Sequence, residues 1–316
     1  MRLGAVAGLA TAAIAAACMT ADRGSVAPSA PNFAHDPDLT GMPDLIVDSK
    51  MLATSWVVYD QIIKETGCTL EEGGVIDPTV PHRVVRFTVN TPNVGDADLS
   101  LGDPAKHIDP NGDGDISDSD GLYELSLCHR HWHFRHYATY ELVDPVTGFV
   151  WKAAKRGFCM IDVAPWNGGI QSPQSWVFRA CGHPATATEP AIPGNQGIAH
   201  GWADQYYKWL GGQYFVLDGG DGQPPVPLGR QYILRIHVNP GFEAGSRDLC
   251  PALERVISRQ IRLCHNFAES DYSNNVGEAL ILLPADRPGK TGFGPGSGQE
   301  ARTVDEIDDE NRGTEK

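Results

Sequence analysis

The sequence predicts a mainly β protein, a compact single domain of short strands with long ordered loops, stapled by disulfides. Three observations predict it. Gly (35) and Pro (23) are abundant, which suits a loop-rich sheet protein better than a helical bundle. Alternating and β-branched runs are short and fall between those breakers. Seven cysteines less Cys18 leave six, and an even set in an exported chain implies bridges. With 316 residues, 41% of them hydrophobic, and 7 Trp, the chain can bury a sizeable core. Lys plus Arg is 25 against 40 for Asp plus Glu, a net charge of −15, so nothing supplies the basic face that a nucleic-acid partner needs. No apolar run reaches the roughly 20 residues of a spanning helix.

Residues 1–18 read as a lipoprotein-type signal peptide. Arg2 precedes a short apolar run that ends Ala15-Ala16-Ala17-Cys18. The cysteine resembles that of a bacterial lipobox, with Ala15 where Leu is usual. The expected location is therefore the cell envelope or outside the cell, and the only membrane contact would be a lipid on Cys18. Residues 19–42, rich in Ser and Pro, read as a flexible tether.

The domain is expected over 43–285. Strands are predicted at 44–48, 52–61, 83–90, 128–142, 157–162, 213–217, 231–238 and 278–283, with long loops at 164–202 and 218–230. Cys250 and Cys264 bracket an expected helical insert, Pro251 to Leu263, and a local bridge is predicted across it. Residues 286–316, Gly-rich and then acidic, read as a disordered tail.

Between Asp109 and Asp120 the chain carries oxygen side chains in the spacing of a calcium loop. Asp109, Asn111, Asp113, Ser117 and Asp120 take positions 1, 3, 5, 9 and 12, Gly114 takes position 6, and Asp115 ligates through its carbonyl. Ile116 would anchor the loop to the core. This many like charges repel unless a cation intervenes, so Ca²⁺ is expected in a structural role just ahead of the next motif.

That motif is Cys128-His-Arg-His-Trp-His133. Side chains alternate along a strand, so His129, His131 and His133 share one face. Three imidazoles on a buried face pack poorly and repel when protonated, and a metal resolves both problems. Imidazole suits copper, zinc, iron or nickel, and the affinity order favours Cu²⁺. Spacing alone leaves a zinc hydrolase or an iron dioxygenase equally open. His136 has the opposite parity and is a candidate general base rather than a ligand.

Five ordered motifs resemble those of the lysyl oxidase family. They are Cys128-His-x-His-x-His133 with Tyr140-Glu-Leu-Val-Asp144, Lys155-Arg-Gly-Phe158-Cys159-Met-Ile-Asp162, Gly197-Ile-Ala-His-Gly201-Trp202-Ala-Asp204-Gln-Tyr206, Tyr232 to Pro240, and Asp271-Tyr-Ser-Asn-Asn275. His200 stands where the family's bacterial members have Pro. The resemblance implies a copper amine oxidase whose lysine tyrosylquinone cofactor forms from Lys155 and Tyr206. Alone, a lysine beside Lys152 and a tyrosine beside Tyr207 would carry little weight; the motif register selects them. The implied chemistry is oxidative deamination of primary amines, including lysine-bearing proteins. The quinone accepts two electrons, O₂ reoxidises it, and aldehyde, H₂O₂ and ammonia leave. Family position also implies that Cys128 pairs with Cys181, leaving Cys68 for Cys159. Two other readings compete: a His₃ metal hydrolase or dioxygenase without a quinone, and a non-enzymatic, calcium-stabilised surface binding protein.

Overall fold

A computed structural model describes residues 41–62, 77, 79–153, 155, 157–166, 177–220 and 222–297. The expected signal segment, nearly all of the tether, Cys68 and residues 298–316 lie outside the described residues. The Asp48 carboxylate accepts the Lys50 and Met51 amides and caps helix α1 (Ser49–Thr54). The strand expected from Leu52 therefore starts only at β1 (Val57–Ile62). The run expected at 83–90 is two strands in different sheets, β2 (Pro81–Arg86) and β3 (Val89–Pro92). β4 (Leu99–Gly102) and the short helix α2 (Ala105–Ile108) lead into the acidic loop, which carries a 3₁₀ turn at Ile116–Asp118.

The run expected at 128–142 is also divided. β5 (Tyr123–Ser126) turns into β6 (His131–Arg135), and β7 (Ala138–Val143) follows after His136, whose φ of 57° breaks the extended chain. β8 (Val150–Lys152) and β9 (Gly157–Phe158) come next. The long 164–202 segment contains β10 (Ala164–Pro165) and β11 (Gln196–Ile198) and runs into β12 (Trp202–Tyr206), with β13 (Tyr214–Val216) beyond.

β14 (Arg230–Val238) precedes β15 (Phe242–Gly245), β16 (Ala252–Val256), β17 (Ile261–His265) and β18 (Val276–Leu283). The insert expected as a helix is thus an antiparallel pair, β16 against β17. Ser258 Oγ accepts the Gln260 and Ile261 amides and closes a turn where a helix would have continued. The Cys250–Cys264 bridge forms as expected across it.

The largest sheet has the order β18–β14–β7–β8. Along β18 every second residue is buried, and Tyr232, Leu234, Ile236 and Val238 of β14 join them in the core. The sheet β5–β6–β9 and the sheet β10–β12–β3 share this core through Phe134, Phe158 and Tyr206. Two expectations are corrected here. Cys159 pairs with Cys181, so the expected Cys128–Cys181 and Cys68–Cys159 pairings both fail, and Cys128 is itself disulfide-bonded. Residues 286–297, expected as part of a disordered tail, are ordered: Phe293 exchanges backbone hydrogen bonds of 2.8 and 2.9 Å with Val58 of β1. Gly292, at φ 76°, permits that close approach, because a Cβ there would stand 2.6 Å from the Tyr59 ring.

Candidate metal centre

The β5–β6 hairpin builds the histidine cluster. Its turn is closed by the Arg130 amide donating to the Ser126 carbonyl at 2.8 Å, with Arg130 itself left-handed at φ 62°. The His129 amide donates to Ser126 Oγ at 3.1 Å. His129 therefore lies in the turn, not on the strand. Its ring still arrives on the face that carries His131 and His133, because the left-handed residue folds the chain back over β6.

His133 Nε2 lies 3.1 Å from His131 Nε2 and 3.3 Å from His129 Nδ1. Ligands on one ion with bonds of about 2.0–2.1 Å stand roughly 2.9–3.4 Å apart, so both separations are those of neighbouring ligands, and one donor nitrogen from each of the three rings lies within 4.8 Å of the others. His131 and His133 are buried, and His129 is partly exposed. Burial, and after it the nearby Lys155 ammonium, lowers His129 to about 3 and pushes His133 well below the usual imidazole range. Both shifts favour the neutral ring at physiological pH, the form in which imidazole binds metal. Donor type, spacing and protonation all fit a transition-metal ion.

The segment opposite β6 is fastened by named groups. The Trp132 amide donates to the Gly182 carbonyl, and Gln196 Nε2 donates to the carbonyls of Trp132 and Cys181. The buried Asp162 carboxylate accepts the amides of Val177, Phe178 and Ala199, and its burial raises it to about 6. A pocket of about 510 Å³ opens beside the cluster, lined by His129, His131, Cys181, His183 and Ile192 among others.

Lys155 is buried two residues ahead of β9, and Tyr206 is buried at the end of β12. Lys155 Nζ stands 5.4 Å from the Tyr206 ring centroid and 5.3 Å from that of Phe158, and the Tyr206 hydroxyl donates to the Cys159 carbonyl at 2.7 Å. Thus the lysine, the tyrosine and the histidines, which come from three separate stretches of chain, meet around β9.

Residues 43–252 match the sequence profile of the lysyl oxidase family. The chain belongs to the lysyl oxidase family. Members are in general copper-dependent and carry a lysine tyrosylquinone, and they act on amine or lysine substrates with O₂. No curated protein matches the chain. The matched region ends before the Asp271–Asn275 motif, whose Asn275 nonetheless donates to the buried Glu269 at 2.7 Å.

Other expected site residues lie elsewhere. His136 is exposed in the β6–β7 turn and is not grouped with the three histidines in ligand range of one another. In the acidic loop, Asp109 accepts the amides of Gly112, Asp113 and Gly114, Asn111 accepts that of Asp113, Asp113 that of Asp115, and Asp115 that of Ser117. Asp120 is engaged by a His107 ring nitrogen at 2.6 Å. Ile116 is 65% exposed, so it does not anchor the loop in the core. Among the described residues, the groups of three or more His, Cys, Asp or Glu in ligand range do not include this loop.

Sequence reasoning did not single out Gly157, Gln196 or Glu269. Gly157 is the position that makes room for His133, and the other two fasten backbone around the site and the motif after it. The signal for Gly157 was present, since it lies within the Lys155–Asp162 motif.

Proposed function

We propose that this protein is a copper amine oxidase that converts primary amines, including lysine side chains of proteins, to aldehydes. The overall reaction is RCH₂NH₂ + O₂ + H₂O → RCHO + H₂O₂ + NH₃. The observation that carries the reading is Lys155 Nζ 5.4 Å from the Tyr206 ring centre, both residues buried beside the pairing of β9 with the histidine-bearing β6. His129, His131 and His133 would hold the copper. Bound there, copper with O₂ as the oxidant would supply the one-electron chemistry that turns the tyrosine ring into a quinone able to take two electrons from the amine.

The remaining roles fall to the chain itself. The Tyr206–Cys159 hydrogen bond fixes the phenol end of the ring, and Phe158 packs edge-on against it at 5.3 Å, so the ring cannot turn away from Lys155. Burial of both partners excludes water from the bond that would join them. The pocket beside His129 and His131 gives an amine-bearing side chain a way in. We also read the 109–120 loop as a calcium loop that stiffens the approach to β5, and we infer an exported, envelope-bound or secreted protein. The two described bridges suit an oxidising compartment.

Copper reconstitution tests the reading. The loaded protein should release H₂O₂ from a primary amine and take a quinone redox stain. Lys155→Ala and Tyr206→Phe should each lose at least about 100-fold in rate. A Tyr206→Phe enzyme that oxidises amines at the wild-type rate would exclude the proposal.

A further inference from the structure

The Cys159–Cys181 bridge lies against the metal centre. One donor atom from each of His131, Cys159 and Cys181 falls within 4.8 Å of the others. In the bridged form the sulfurs are bonded to each other. As a dithiol they become two thiolate ligands beside an imidazole, a Cys₂His set of the kind that holds zinc or monovalent copper. The two Cα atoms are 5.4 Å apart, so side-chain rotation alone can open the sulfurs to the roughly 3.8 Å that two thiolates on one ion require. The pocket that reaches His129 and His131 also reaches Cys181, which gives an incoming ion or its carrier access to both sets.

We propose that, before this bridge closes, Cys159, Cys181 and His131 form a second metal site for a soft or borderline ion, Cu⁺ or Zn²⁺, in competition with the histidine triad. A neutral imidazole has one lone pair, so His131 serves one set at a time. The open chain therefore holds metal through sulfur, and the closed chain leaves His131 to the triad. The same cysteine touches the other half of the centre, because the Cys159 carbonyl accepts the Tyr206 hydroxyl. The proposal concerns the dithiol form; the bridge closes by exchange with an external disulfide, which accepts the two electrons and leaves as two thiols, and no quinone is needed.

Cobalt titration of the full chain tests it, because thiolate-to-cobalt charge transfer reports sulfur ligands directly. His129→Ala/His133→Ala removes two triad ligands and spares the proposed site. Treated anaerobically with a phosphine reductant, this variant should bind one Co²⁺ with a two-thiolate band, and with its bridges closed it should show none. Adding Cys159→Ser and Cys181→Ser should abolish the band. Adding Cys250→Ser and Cys264→Ser instead should leave it, and adding His131→Ala should weaken binding at least tenfold. Should full reduction unfold the chain, Cys181→Ala frees the Cys159 thiol while the other bridges stay closed, and a one-thiolate band is then expected. No thiolate band in either preparation, or a band that survives loss of both cysteines, overturns the proposal.

Discussion

His133 packs its ring against the Cα of Gly157. A Cβ at residue 157 would stand 2.5 Å from His133 Nδ1 and 2.9 Å from its Cγ, closer than real Cβ contacts come. Since the ring is buried and its Nε2 is within reach of both other histidines, the strain cannot be relieved without moving a ligand. Gly157→Ala should therefore weaken copper binding at least tenfold in a competition titration while the chain stays folded. Unchanged affinity would mean that the cluster tolerates displacement of one ring. Glu269 sets a second single-residue expectation. Its carboxylate takes hydrogen bonds from Asn239, Asn275 and the Leu45 amide, yet burial raises it from 4.5 to about 7. A carboxylate raised in this way contributes stability below about 4.5 that is lost as pH climbs through about 7. Denaturant titrations of wild type and Glu269→Gln should then diverge with pH, the wild type losing ground to the variant from pH 5 to pH 8. A constant difference would show that the three donors hold the charged form as easily as water does.

At the scale of elements, the acidic loop between α2 and β5 sets an expectation of its own. Its side chains accept one another's amides, and it carries four aspartates between Asp109 and Asp118 within ten residues. A cation that gathers these oxygens would stiffen the strand leading into the histidine hairpin. Micromolar to millimolar Ca²⁺ should raise the Tm, chelator should reverse the gain, and Asp113→Ala should abolish it. No shift with Ca²⁺ would leave the loop as a solvated turn. Legibility in the sequence also varied by element. Period-two alternation correctly put His131 and His133 on one face of β6, but His129 reaches that face through the left-handed Arg130, which no alternation rule contains. The β16–β17 pair has helix-compatible composition, and pairing with β15 decides its form. Lys155 and Tyr206 have no local signature; only their motifs marked them, and the fold brings them together from positions 51 residues apart in the chain. The Cys159–Cys181 bridge was out of reach for a related reason: six cysteines allow about 15 pairings, and spacing does not choose among them.

For the whole molecule, net charge and the internal meeting of three chain segments make separate predictions. A protein at −15 attracts cationic amines over distances that salt shortens. kcat/KM for a peptide with several lysines should fall more steeply with added NaCl than that for a singly charged alkylamine, and equal slopes would assign no role to the overall field. The convergence around β9 carries the larger claim, that a lysine and a tyrosine far apart in sequence become one group beside a metal held by three imidazoles. Mass-spectrometric peptide mapping of the chain expressed with copper and air tests it most directly. The account predicts one peptide in which Lys155 and Tyr206 are covalently joined, absent from a metal-free preparation. Two ordinary linear peptides, recovered in full from copper-loaded, aerated protein, would contradict it.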